Sequence, residues 1–109
     1  MAEGEAAVRQ ALLLLLSTAP GERVMRPAYG CDLTHLVFAL NDATTAGLAI
    51  HYVRRALERW EPRIEILHLD ADPNPSDPGR LDIKLEYRVK SRLATWALTF
   101  PVMLSGERP

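Results

Sequence analysis

Cysteine is almost absent from this sequence: Cys31 is the only one among 109 residues. No intramolecular bridge can form, which excludes a disulfide scaffold and fits a reducing compartment. A long apolar run is missing too. The longest, Ala11 to Leu16, is far short of the roughly 20 residues that cross a bilayer, so no membrane insertion is expected. Nor is charge of one sign in excess. Thirteen basic and fourteen acidic residues leave a net charge of -1 and a pI near 6.3. Without a global field of either sign, no nucleic acid or anionic membrane is expected as a partner. The N-terminus, Met-Ala-Glu-Gly-Glu, is acidic where a secretory signal is basic, and a cytoplasmic product is expected.

Catalytic and cofactor motifs are equally scarce. There is no Walker loop, no Gly-x-Gly-x-x-Gly and no Gly-x-Ser-x-Gly, so nucleotide binding and hydrolase chemistry lack a motif. His35, His51 and His68 fall in three different predicted elements, and only Cys31 and His35 share the i, i+4 spacing of a helix. That is too sparse a set for zinc, and no metal or cofactor is expected. Cys31 has no local base, so a buried structural thiol is expected there rather than a nucleophile. Glu61 beside Trp60 has the setting of a general acid with a raised pKa. A glycosidase needs a second carboxylate about 5 to 9.5 Å away across a sugar-sized cleft, and none is identifiable. Pairing of Glu61 with Arg63 or another arginine is expected instead.

What remains is an average globular composition, 48% hydrophobic and 25% charged, expected to form one domain over residues 1–109 around one core. From Glu5 to Ser17 the residues Val8, Ala11, Leu12, Leu15 and Leu16 repeat at helical spacing, and Thr18-Ala-Pro-Gly21 supplies the stop. Leu13 and Leu14 lie off this stripe, so the last turn should be covered on more than one side, by the fold or by another subunit. Residues 22–32 read as an ordered loop. Asp32 is then expected to cap a short helix from Leu33 to Leu40. Thr44 or Thr45 is expected to cap a third helix that places Ala49, Tyr52, Val53, Ala56, Leu57 and Trp60 on one face and ends at Pro62. Its opposite face, with His51, Arg54, Arg55, Glu58 and Arg59, reads as a solvated surface.

After Pro62 the period changes to two. Ile64 to Asp70 is strand-like, with an apolar phase that slips between Ile66 and Leu67, the mark of a bulge or of burial on both faces. Asp72 to Arg80, with three prolines, reads as an exposed turn. Leu81 to Lys90 alternates apolar and charged residues without a fault, and Thr95 to Leu104 places Trp96, Leu98, Phe100 and Val102 in phase. Pro101 makes that last strand an edge strand, or the point where the chain leaves the sheet. The fold class is therefore α+β: N-terminal helices packed on one face of a C-terminal antiparallel three-stranded sheet.

Three segments in this order carry a resemblance. They are Pro20-Gly-Glu-Arg-Val-Met-Arg-Pro-Ala-Tyr-Gly-Cys-Asp-Leu33, the Glu61-Pro62-Arg63 that closes a helix, and a strand ending Phe100-Pro101. Together they resemble the baseplate wedge and sheath-initiator family of contractile machines: contractile phage tails, phage-tail-like injection particles and type VI secretion systems. Many members carry a historical lysozyme-like label. Ala28 departs from the pattern, standing where the family carries an acidic residue, whereas Tyr29 keeps the usual aromatic.

The resemblance implies a non-enzymatic structural subunit, in six copies per particle, that links the wedge core to the first sheath ring and initiates sheath polymerisation by β-strand addition. Implied partners are baseplate wedge subunits, sheath protein, and tube or spike and hub proteins. Carried over, Glu61, Pro62 and Arg63 contact the wedge core, while Arg88, Lys90, Thr95, Ala97 and Thr99 on the C-terminal hairpin receive the sheath arm. Arg63→Ala is then expected to block incorporation with little change in melting temperature. Arg26, Pro27, Tyr29 and Gly30 form a structural loop, with the tyrosine expected to pack on the first helix. The charged strand face reads equally as a solvated sheet surface. The alternative function is a peptidoglycan hydrolase. The short N-terminal segment favours an injection particle over type VI secretion.

Overall fold

The computed structural model describes residues 2–21, 25, 28–92 and 94–104. Helix α1 (Ala2–Ser17), a short 3-10 helix (Asp32–Leu36) and helix α2 (Ala43–Trp60) precede strands β1 (Ile64–Asn74), β2 (Asp77–Val89) and β3 (Thr95–Met103). The strands form one antiparallel sheet in the order β1-β2-β3, so the α+β arrangement with helices before the sheet is as expected. Strict alternation makes β2 the centre of the core. Leu81, Ile83, Leu85, Tyr87 and Val89 are buried in one cluster with Val8, Leu12 and Leu15 of α1 and Ala49, Val53 and Leu57 of α2. Full burial of each leucine or isoleucine contributes roughly 1.5–3 kcal/mol, so the strand and both helices stabilise one another.

The phase slip in β1 is a bulge. The β1–β2 register shifts between Ile66 and His68, leaving Leu67 exposed. Before the bulge Ile64 is the buried residue, and after it Leu69 and Ala71 are. One extra residue therefore keeps apolar side chains on the helix side of a strand whose sequence changes parity.

The exposed turn expected over residues 72–80 narrows to two residues, because both strands run into the proline-containing stretch. β1 continues to Asn74 and β2 starts at Asp77, so Pro75 and Ser76 alone make the turn. Side chains supply what the prolines cannot donate. Asn74 accepts from the Ser76 amide at 2.8 Å and donates to Asp82 at 3.0 Å, and Asp77 accepts from the Gly79 amide at 3.0 Å. Asn41 fastens the hairpin to the helical layer by donating to the carbonyls of Pro78 and Arg80 at 3.0 and 2.9 Å.

Two helix starts differ from expectation. The residue before the 3-10 helix is Cys31, with no side-chain cap, and Asp32 is its first residue; the helix stops at Leu36 rather than Leu40. α2 is capped by Asp42, whose carboxylate accepts from the Thr45 amide at 3.0 Å. An aspartate just before the helix outcompetes either threonine, and that bond holds its carboxyl below the usual range. On α1, Leu13 and Leu14 stay 36% and 46% exposed, so this chain covers its last turn on one side only.

The loop between α1 and the 3-10 helix closes through a backbone contact. The Cys31 amide donates to Thr18 at 2.9 Å, and Gly30 has φ +136, with space for a Cβ denied by the Thr18 carbonyl oxygen at 2.5 Å. Only glycine fits. Gly30→Ala should destabilise the protein by about 1–3 kcal/mol, a strained-backbone cost read as a lower urea midpoint at unchanged slope. An unchanged midpoint would show that the loop does not hold this closure.

Candidate functional site

The Glu61-Pro62-Arg63 turn lies where α2 gives way to the sheet. The Glu61 amide closes the helix on the Leu57 carbonyl at 2.9 Å, and the Lys90 amide donates to the Arg63 carbonyl at 2.8 Å, so the turn is tied at both ends. Proline at the middle position prevents the helix from continuing. Arg63 donates through Nε to Oε2 of Glu61 at 2.6 Å and through a terminal nitrogen to Oε1 at 2.7 Å, a bidentate fork. The Glu61 side chain is 7% exposed and that of Arg63 54%, so the acid is inside and the base reaches outward. Bonding to Glu61 raises the Arg63 pKa further. A cavity of about 280 Å³ beside the turn is lined by Arg54, Glu58, Glu61, Glu65 and Lys90 among others.

Lys90 therefore belongs to this turn and not to the far edge of the sheet. Arg88 is also on the central strand, where it forms an ion pair with Glu65 of β1. Both faces of the β2 backbone are used by the ladders. Of the five hairpin positions singled out in the sequence, Thr95, Ala97 and Thr99 share an edge strand.

The two edges of the sheet differ. On β3 the Leu104 amide donates to Gly79 at 2.7 Å, and with the Arg80–Met103 register this sets the alternation. Even-numbered residues of β3 bond to β2, while the N–H and C=O groups of Thr95, Ala97 and Thr99 point away from the sheet. Pro101 is in the same phase, so its missing N–H lies at the open edge and costs no ladder bond. On β1 the same argument from the Lys90–Arg63 bond turns Ile64, Ile66, Leu69, Ala71 and Pro73 outward. That edge is partly closed: Ile64 donates to Glu61, Ala71 donates to the Asp70 carboxylate at 2.9 Å, and Pro73 has no donor, which leaves the amides of Ile66 and Leu69 on either side of the bulge.

Side chains repeat the contrast. On the solvent face, β1 and β2 carry Glu65, Asp70, Asp72, Asp82, Lys84, Glu86 and Arg88, whereas β3 presents Thr95, Ala97, Thr99, Pro101 and Met103. Edge strands usually carry charges that discourage pairing, and β3 carries none. One described group reaches its backbone: Arg9 of α1 donates to the Ala97 carbonyl at 3.5 Å, a contact that sequence reading missed because the two residues are far apart in the chain.

The structural loop is partly visible. Arg26 and Pro27 lie outside the described residues. Tyr29 packs edge-on against Trp60 of α2, ring centroids 5.4 Å apart, a partner that sequence reading did not name. Cys31 is buried, and loss of solvation pushes its thiol up to about 11, which suits packing and not nucleophilic attack. Among the described residues no group of three or more His, Cys, Asp or Glu side chains could hold a metal, and no helix is long and apolar enough to cross a membrane.

Comparison with known proteins adds to this geometry. Residues 2–93 match the family model described as baseplate wedge protein gp25. The baseplate wedge protein gp25 of Enterobacteria phage T4 is 30% identical over 70 residues, 64% of this chain and 53% of that protein; the chain matches about half the length of this relative. A Geobacter sulfurreducens protein described as a tail lysozyme has the same fold, with TM-score 0.86 and 42% identity over 94% of this chain and 92% of that one. A chain of the anti-feeding prophage baseplate gives TM-score 0.71 and 26% identity over 76% of this chain and 66% of that one.

Proposed function

Because this chain belongs to the gp25 family of baseplate wedge proteins, we propose that it is a sheath initiator: a subunit of a contractile injection machine that offers the open edge of β3 to an extended arm of the first sheath ring. The observation that carries this reading is the asymmetry of the edges. Outward amides at Thr95, Ala97 and Thr99, on a strand with no charged side chain of its own, fit strand addition, in which main-chain bonds supply affinity and an arriving arm displaces Arg9 from the Ala97 carbonyl. Glu61, Pro62 and Arg63 form the contact with the wedge core at the opposite edge of the sheet. Six copies per particle, next to tube or spike and hub proteins, fit the same role. Particles produced without this chain should show baseplates or tubes lacking sheath in electron micrographs; sheaths of normal length would refute the assignment.

The subunit acts without catalysis in this reading. Its relatives include structural baseplate proteins, and the carboxylate best placed to be a general acid, Glu61, is engaged by both nitrogens of a guanidinium fork. A hydrolase would need that carboxylate free to carry a proton, with a second one across a cleft. Purified protein should release no soluble fragments from peptidoglycan between about pH 4 and 8, the range in which a carboxylate pair can be poised. Turnover that disappears in Glu61→Gln would establish the hydrolase instead.

A further inference from the structure

α2 has a cavity on each side of its C-terminal half, and their charges differ. The cavity beside Glu61 is lined by more acid than base, with Arg54 and Lys90 facing Glu58, Glu61 and Glu65. The second, of about 220 Å³, lies between α2, which supplies Tyr52, Arg55, Arg59 and Trp60, and the residues Gly30 and Asp32 among others. Arg55 and Arg59 are exposed, and among the described residues neither takes part in an ion pair. They are four residues apart, hence on one helix face one turn apart. The Arg59 guanidinium lies over the Trp60 ring, 4.9 Å from its centroid, and Trp60 is itself held against Tyr29. Stacking of this kind restricts the guanidinium plane and leaves its N–H edge for an anion. A solvated helix face needs neither a cavity nor an aromatic floor.

We propose that this cavity receives a carboxylate side chain from an acidic segment of a neighbouring protein subunit, clamped between Arg55 and Arg59. The chemistry follows from the donors: two planar forks match carboxylate oxygens, and the half-enclosed aromatic wall lowers the local dielectric that would otherwise weaken the pair. The site is separate from the open edge of β3 and goes beyond sheath initiation.

The test uses the whole purified protein and an acetylated, amidated hexaglutamate peptide, followed through the indole N–H signals of Trp60 and Trp96. Trp96, stacked on Tyr87 in the sheet, is the internal control. The Trp60 signal should shift saturably while that of Trp96 stays in place. Affinity should fall at least about tenfold in the Arg55→Gln, Arg59→Gln double variant, whose side chains stay polar and lose the charge and the planar fork. It should also weaken as salt rises from about 0.05 to 0.3 M, as screening requires. If the double variant does not fold, a hexalysine peptide on the unmodified protein decides: no Trp60 shift supports the proposal, and a shift overturns it. The absence of saturable binding at millimolar hexaglutamate, or a shift that survives the double substitution, also overturns it. An oligothymidylate that moves Trp60 at lower concentration than hexaglutamate would overturn it in favour of nucleic acid. No baseplate or sheath is present, so this outcome is independent of the strand-addition reading.

Discussion

Thr99→Pro should yield baseplates and tubes without sheath, while Thr99→Ala builds sheaths of normal length. Thr99 lies opposite Lys84, in the phase whose amides point away from β2. Proline there removes no bond from the sheet and deletes one donor from the open edge, between the amide of Ala97 and the gap already present at Pro101. A backbone hydrogen bond contributes about 0.5–1.5 kcal/mol net, and leaving an incoming carbonyl buried without a donor costs about 1–3 kcal/mol more. The combined loss lowers the affinity of a short arm by roughly tenfold to a thousandfold. Alanine keeps the amide and removes only an exposed hydroxyl and methyl. Leu98→Pro, which would break the ladder to β2, serves as the control for misfolding. Full sheaths on Thr99→Pro particles, or equal failure of Thr99→Ala, would sink strand addition at this edge.

Arg63→Ala should lower the folding stability by about 1–3 kcal/mol, because it leaves Glu61 buried without its cation. For a chain of this size that is a fall in melting temperature of roughly 5–15 °C. Sequence reading alone predicts almost no change, since exposed charges contribute little. The difference comes from burial: the Glu61 side chain is 7% exposed, which no property of the tripeptide reveals. Removing both charges in Glu61→Gln, Arg63→Ala should recover part of the loss, as a coupled pair requires. Thermal melts of the two single variants and the double variant measure this directly. A single variant within a degree of the unmodified protein would show that another cation, such as Lys90 or Arg54 across the cavity, takes over. Arg63→Lys separates stability from assembly, since lysine keeps a charge near Glu61 but loses the fork and its outward reach.

Much of this molecule was legible in the sequence because its periods are strong. The fault-free alternation of Leu81 to Lys90 identifies a strand buried on one face whatever its neighbours, and the parity change at Ile66–Leu67 already marks a bulge or burial on both faces. Pro101, out of phase with Trp96 and Leu98, marks the open side of β3 for the same reason. Where local preferences compete, reading failed or fell short: Asp42 took the cap that Thr44 or Thr45 was expected to supply, and side-chain bonds narrowed the expected turn to two residues.

Local composition and spacing determined the order of elements and the buried face of the central strand, since these depend on residues a few positions apart, and they left Arg63 as one of the possible partners of Glu61. Only tertiary structure decided which edge is open, that Lys90 belongs to the Glu61 turn, that Tyr29 meets Trp60, and that Arg55 and Arg59 border a cavity. Those facts are relations between segments distant in the chain. They follow from how the sheet registers and how α2 crosses it, which packing of the whole core sets and no window of sequence contains.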